Sequence, residues 1–135
     1  MSCSQRKTED KGLIPALDRY DGPAFRVLRK YLRETLDPAL SVYVLSAKFG
    51  VIAASRRIPN YDHKMNAHRA ESLRKPALQR IKSILRNRKF NEGFFVGSRN
   101  YLRTIEPLNQ FKPSFGEAKG KPGQKLKSLR TWLRK

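Results

Sequence analysis

Cys3 and Lys7 stand four residues apart in a polar N-terminal run, and an ammonium beside a thiol favours the thiolate. The pair supplies a nucleophile and a cation, although an incidental surface cysteine in a lysine-rich chain is the commoner source of such a spacing. Lys48 follows an apolar run directly and suits a phosphate or a carboxylate. Asp62, next to Tyr61, has the reach of a general base or of a partner for a ribose hydroxyl. Most loop aspartates only cap turns. Cys3, Lys7, Lys48 and Asp62 form the candidate catalytic set. Gly120 and Gly123, with a helix to follow, resemble a backbone phosphate cradle. The G-x-x-x-x-G-K-[ST] pattern is absent, which excludes a P-loop nucleotidase. With His63 and His68 as the two histidines and Cys3 as the one cysteine, no zinc spacing, internal disulfide or Ser/His/Asp triad can be read, and no metal or cofactor is expected.

The elements that must position these residues centre on Ser41 to Ile52, SVYVLSAKFGVI. Val42 to Leu45 is a β-branched and aromatic run, apolar on both faces, as a strand inside a sheet requires. It ends in the small-residue turn Ser46 to Gly50, and ligands of open α/β sheets bind at such carboxyl ends. A core strand followed by an ordinary surface turn accounts for it equally well. Before this strand, Pro23 opens an amphipathic helix with Phe25, Leu28 and Leu32 on one stripe, ending before Pro38. After it, Arg56 to Met65 reads as irregular, a helix runs from Asn66 to Arg74, and Pro76 restarts or kinks it for a second run to Lys89. Phe94 to Val96 is a second short strand that leads through Gly97 and Ser98 into a helix bearing Tyr101, Leu102 and Ile105. A further short strand is expected over Asn109 to Lys112. The tail enters a helix over about 122–135 with Leu126, Leu129 and Leu133 on one stripe. Strand, turn, helix repeated in this way predicts an α/β fold, a small, mainly parallel sheet flanked by helices, in a single domain over residues 1–135.

Charge is distributed unevenly. Residues 1–55 carry nine basic and six acidic side chains, and residues 56–135 carry twenty-one and five, so +16 of the net +19 lies in the second segment. Lys75, Lys82, Arg86 and Lys89 gather on one face of the long helical region, and Lys127, Arg130 and Arg134 share a face of the last helix. Such an excess on helices points to a polyanionic partner, DNA or RNA, with an acidic protein as an alternative. Helical Arg and Lys without helix-turn-helix or zinc-finger spacing mostly meet phosphates, so binding should tolerate sequence. No apolar run approaches the roughly 20 residues that cross a bilayer, and the N-terminus lacks a secretory apolar stretch, so a cytoplasmic location without membrane association is expected.

The ordered set Ser2-Cys3-Ser4 with Lys7, Pro15-Ala16, Tyr20-x-Gly22, Phe25, VYVLSAKFG, Ile58-Pro59-x-Tyr61-Asp62, Gly97-x-x-x-Tyr101 and Gly120-x-x-Gly123-x-x-Leu126 resembles a family of small bacterial and phage proteins of unknown function. That family is distantly similar to the YaaA peroxide-stress proteins, which are described as DNA-binding. A fainter similarity links Cys3 and Lys7 to the Cys and Lys of the archaeosine synthase module, which acts on a deazaguanine base in tRNA. The resemblance implies a pocket of Ser4, Tyr20, Gly22, Ser46, Gly50, Tyr61, Gly97, Tyr101, Gly120 and Gly123 around the Cys3 loop. It also implies an apolar strand directly before Ser-Cys-Ser, where this sequence has only Met1. Either the sequence starts internally or it lacks this first strand, and lacking it would loosen Cys3.

Two functions follow as expectations. The first is a nucleic-acid-binding protein linked to base modification or DNA protection. The second is a small enzyme acting on a nucleotide or nucleobase through the Cys/Lys/Asp pocket. Whether the chain is catalytic at all is left open by its residues.

Overall fold

The computed structural model describes residues 1–4, 6–9 and 12–135. The chain folds as a mixed α/β domain whose elements run β1 (Ile14–Pro15), α1 (Ala16–Arg19), α2 (Pro23–Thr35), β2 (Tyr43–Ser46), β3 (Gly50–Ala53), β4 (Arg57–Ile58), α3 (Ala67–Asn87), β5 (Gly93–Phe95), α4 (Arg99–Ile105), β6 (Phe115–Glu117) and α5 (Pro122–Leu133). β1 pairs with β4 and β2 with β3, both antiparallel, whereas β5 and β6 pair in parallel. Among the described residues, parallel pairing is therefore confined to one ladder and to the bridge described next.

The backbone of Met1 to Cys3 runs between β2 and β5 and bonds to both. Ser2 N–H donates to Val96 O at 2.9 Å, Cys3 N–H to Leu45 O at 3.0 Å, and Leu45 N–H to Met1 O at 2.8 Å. Ser2 and Leu45 form a parallel bridge. These bonds fix Cys3 at the carboxyl edge of β2. On the other side of Met1 the space between β2 and β5 is a cavity of about 190 Å³ lined by Val42, Tyr43 and Phe94 from the strands, Ile84 from one helical layer and Trp132 from the other. The Met1 amine donates to Tyr43 O at 2.9 Å, and its burial pulls its pKa down to about 5.

The core follows the alternation of the strands, whose successive side chains face opposite layers. Leu45 and Phe95 pack with Ala77 and Ile81 of α3 and with Ile105 of α4. Val96 packs with Leu28 of α2 and with Leu129 and Leu133 of α5. Val44 and Ile52 join Ala16, Tyr20, Phe25 and Ile58 in a third cluster beneath the candidate site.

Two local expectations are corrected. Pro76 does not restart the long helical region, since α3 is one helix with Pro76 inside it. Ala70, Leu73, Ala77 and Ile81 form one buried stripe across the proline, and the packing of that stripe outweighs the single lost hydrogen bond. Asn109 to Lys112 is not a strand, because Leu108–Gln110 is a 3-10 turn that delivers Phe111 to the core. The strand lies further on, at β6, where Gly116 and the polar neighbours leave no alternating pattern to read. The Ser46 to Gly50 turn lies where expected and closes a β2–β3 hairpin, with Gly50 at φ +73°, a conformation glycine adopts without strain.

Asp21 precedes α2 and holds three arginines: Arg29 at 2.7 Å, Arg26 at 3.0 Å and Arg6 at 3.4 Å. The hydrogen bond from Arg26, seconded by Arg29, holds its carboxyl at about 2. A carboxyl whose folded pKa is depressed stabilises the fold above its ordinary value of 3.8, and this stabilisation fades as pH falls toward 2. We expect Asp21→Asn to be less stable than the parent at pH 6 and to close most of that gap at pH 2, as read by thermal melts across the range.

Candidate functional site

Five segments meet at the carboxyl edge of β2 and β5. The Cys3 to Thr8 segment is held by an antiparallel bridge between Lys7 and Tyr20, with Thr8 N–H donating to Arg19 O at 2.8 Å and Asp21 N–H to Arg6 O at 2.9 Å. Ser4 Oγ accepts from Gly22 N–H at 3.2 Å. A Cβ on Gly22 would lie 2.8 Å from the Ser4 Cβ, so the close approach of the two segments requires glycine there. Gly97 plays the same part on the other flank, where an added Cβ would meet Ser2 Oγ at 2.7 Å and the Phe95 ring at 2.6 Å.

At the centre is a hydroxyl relay. Ser46 Oγ accepts the amides of Lys48 at 3.2 Å and Phe49 at 3.1 Å and lies 2.8 Å from Tyr61 Oη, which also bonds to Tyr20 Oη. With both lone pairs of Ser46 taken by amides, its hydroxyl hydrogen goes to Tyr61, and the Tyr61 hydrogen passes on to Tyr20. Burial is the main cause that pushes the phenols of Tyr61 and Tyr20 above the usual tyrosine range, so both remain neutral donors at physiological pH. Tyr61 also packs edge-on against Phe49 and Tyr20.

Charge surrounds this neutral centre. The Lys7 ammonium lies 4.6 Å from the centroid of the Tyr61 ring, and Lys48 lies 5.5 Å from the same ring. Burial lowers the Lys7 pKa from the usual lysine range, and the charges of Cys3 and Asp62 oppose that shift. Cys3 Sγ is 2.9 Å from Tyr101 Oη, a phenol whose pKa burial raises first and the sulfur contact second. The site therefore offers a thiol, neutral hydroxyls and two ammoniums, with the exposed Asp62 as its carboxylate. It can hold an anionic group and present a nucleophile to what the anion carries. Among the described residues no group of three or more His, Cys, Asp or Glu side chains is placed to hold a metal ion.

Cys3, Ser4, Lys7, Tyr20, Gly22, Ser46, Lys48, Tyr61, Gly97 and Tyr101 are thus linked by contacts, Gly50 by the hairpin and Asp62 by its charge. Gly120 and Gly123 lie at the start of α5, joined to the site through Lys125 Nζ, which donates to Gly97 O at 2.9 Å. Gly120, at φ +94°, makes room for Gln124, whose Oε1 accepts from Lys121 N–H at 2.7 Å. That contact explains Gly120 as part of a helix cap. The sequence reading missed Lys125, Lys64 and Asn100, none of which belongs to a motif. It also missed two arginines that brace the site: Arg69 donates to Ala47 O and Lys48 O, and buried Arg19 to Thr8 O and Ile58 O.

The surface cations sit elsewhere. Lys75, Lys82 and Arg86 of α3, Lys89 just beyond it, and Lys127, Arg130 and Arg134 at the chain's end are all exposed. No helix of the described residues is long and apolar enough to cross a membrane.

Comparison with known proteins gives one match: the model of a family of unknown function, DUF6884, covers residues 1–130. No curated protein and no solved structure matches.

Proposed function

We propose, from the premise that the chain belongs to the DUF6884 family of unknown function, that it is a nucleic-acid-binding protein connected with modification or protection of bases. The observation that carries this reading is the state of seven cations. Lys75, Lys82, Arg86, Lys89, Lys127, Arg130 and Arg134 are exposed, and among the described residues none has an ion-pair partner. Several other arginines spend their charge on main-chain carbonyls: Arg74, for example, donates to Arg103 O and Glu106 O. The seven belong to the part of the +19 available to phosphates. The distant resemblance of the family to the YaaA proteins, described as DNA-binding, favours DNA as the partner.

Such binding releases counterions, so affinity falls steeply with salt. In an anisotropy titration with a labelled 20-nucleotide single strand and the matching duplex, we expect binding at 50 mM salt. Replacing Lys75, Lys82, Arg86 and Lys89 by serine should flatten the plot of log affinity against log salt by about three units, roughly 0.7 to 0.9 per lost phosphate contact. The Lys127, Arg130 and Arg134 face, on the opposite helical layer, is the matched comparison. Absence of binding to either probe at 50 mM salt rules the reading out.

A second reading, an enzyme acting on a nucleotide or base, is favoured by the convergence of Cys3, Lys7, Tyr101 and Asp62 on one edge of the sheet. It requires that Cys3→Ser abolish turnover of a bound nucleotide while leaving the salt-dependent binding intact.

A further inference from the structure

We propose that the cavity beside Cys3 receives one unstacked base, with Asn100 setting base preference and Lys64 holding the attached phosphate; this rests on the nucleic-acid reading above. The cavity has a volume of about 330 Å³ and is walled by Cys3, Tyr101, Met65, Lys64, Ser98 and Asn100. That lies at the small end of ligand sites, the scale of one flat group with a short polar extension. Its polar lining is unspent. The Asn100 carboxamide is half-buried and, among the described residues, has no partner. Ser98 stands at the helix-capping position of α4 but makes no side-chain cap bond. Lys64 has no carboxylate partner among the described residues.

The donor set selects the ligand. A carboxamide presents a donor and an acceptor side by side, the complement of a base edge that does the same. One ammonium with no carboxylate in the lining calls for an anion at one end of the ligand. The phenol of Tyr101 and the thioether of Met65 supply walls for a flat, polarisable face. A neutral hydrogen-bonding edge, a flat face and a terminal anion together describe a nucleotide. Since a base paired in a duplex has its edge occupied and its faces stacked, the occupant must come from a single strand or be turned out of the helix.

The test uses the full chain and four labelled single-stranded octamers, each with T, A, C or G at one central position and abasic sites at the other seven. Anisotropy at 50 to 200 mM salt should show about tenfold discrimination among the four, about the size of one bidentate base contact. N100A should bring the four within about twofold while keeping the salt slope. N100D, which keeps the shape but exchanges donors for acceptors, should reorder the preference. K64A should lower the salt slope by about 0.7, one single-strand phosphate contact. Binding of all four octamers without preference, or a preference that survives N100A and N100D in folded protein, overturns the proposal and leaves nucleic-acid binding standing. Absence of binding by the parent chain at 50 mM salt overturns both.

Discussion

Arg19→Ala lowers the free energy of unfolding by about 3 to 5 kcal/mol, a large fraction of the roughly 5 to 15 that a domain of this size possesses. The Arg19 side chain is 0% exposed. Its guanidinium donates to Thr8 O at 2.9 Å, to Gly12 O and to Ile58 O at 3.3 Å. Removing it leaves these carbonyls without their donor, at about 1 to 3 kcal/mol for each one that water cannot reach. It also leaves a cavity where the fully buried side chain stood. Arg19→Met fills most of that volume but supplies no donor, so a methionine variant that still loses more than about 2 kcal/mol in urea assigns the effect to the carbonyls. A methionine variant as stable as the parent would show that Arg19 acts by filling space. The consequence reaches the site, because Thr8 follows Lys7 and Ile58 lies three residues before Tyr61. Arg19 ties together the two segments whose side chains form the Lys7–Tyr61 contact.

Arg19 also marks a limit of sequence reading. An arginine between Asp18 and Tyr20 reads as a surface charge, because nothing local distinguishes a guanidinium that finds three carbonyls from one that finds water. The segments that were legible are those with a strong local period or a stereochemical marker. Val42 to Leu45 announced the central strand through its apolar and β-branched composition, and Pro23 opened α2 where a proline fits best. Pro76 misled for the converse reason. A local rule for breaking helices yielded to a buried stripe that depends on β3 and α4, which no local pattern contains. The site was legible only as far as its motifs reached. Cys3, Lys7, Tyr61 and Tyr101 stand in motifs and meet in space. Asn100 and Lys64 face the same cavity with no motif to single them out, since an asparagine and a lysine in a polar stretch are ordinary.

The expected strand before Ser-Cys-Ser leads to the second large effect. Placing four β-branched apolar residues ahead of Met1 should raise stability by about 2 to 4 kcal/mol, or roughly 10 °C in melting temperature. The cleft that would receive them is specified on every side. Tyr43 and Phe94 alternate out of their ladders with β3 and β6, so their peptide groups face the gap in which Met1 already bonds to Tyr43 O. Ile84 and Leu85 line it from the α3 layer, and Leu129 and Trp132 from the α5 layer. Both faces of the incoming strand must therefore be apolar. Burying about 400 Å² of apolar surface contributes about 10 kcal/mol, and ordering four residues costs about 6. Compactness of the unfolded chain trims the gain further. The graft also replaces the buried amine with an amide that can keep the same bond to Tyr43 O. An equally long graft of alternating valine and lysine puts its charges against one apolar layer and should gain nothing. Equal melting temperatures for the apolar and alternating grafts would mean that the gap closes by movement of β2 toward β5. In that case Trp132, stacked on Phe94 at 5.2 Å, would shift its fluorescence in neither variant.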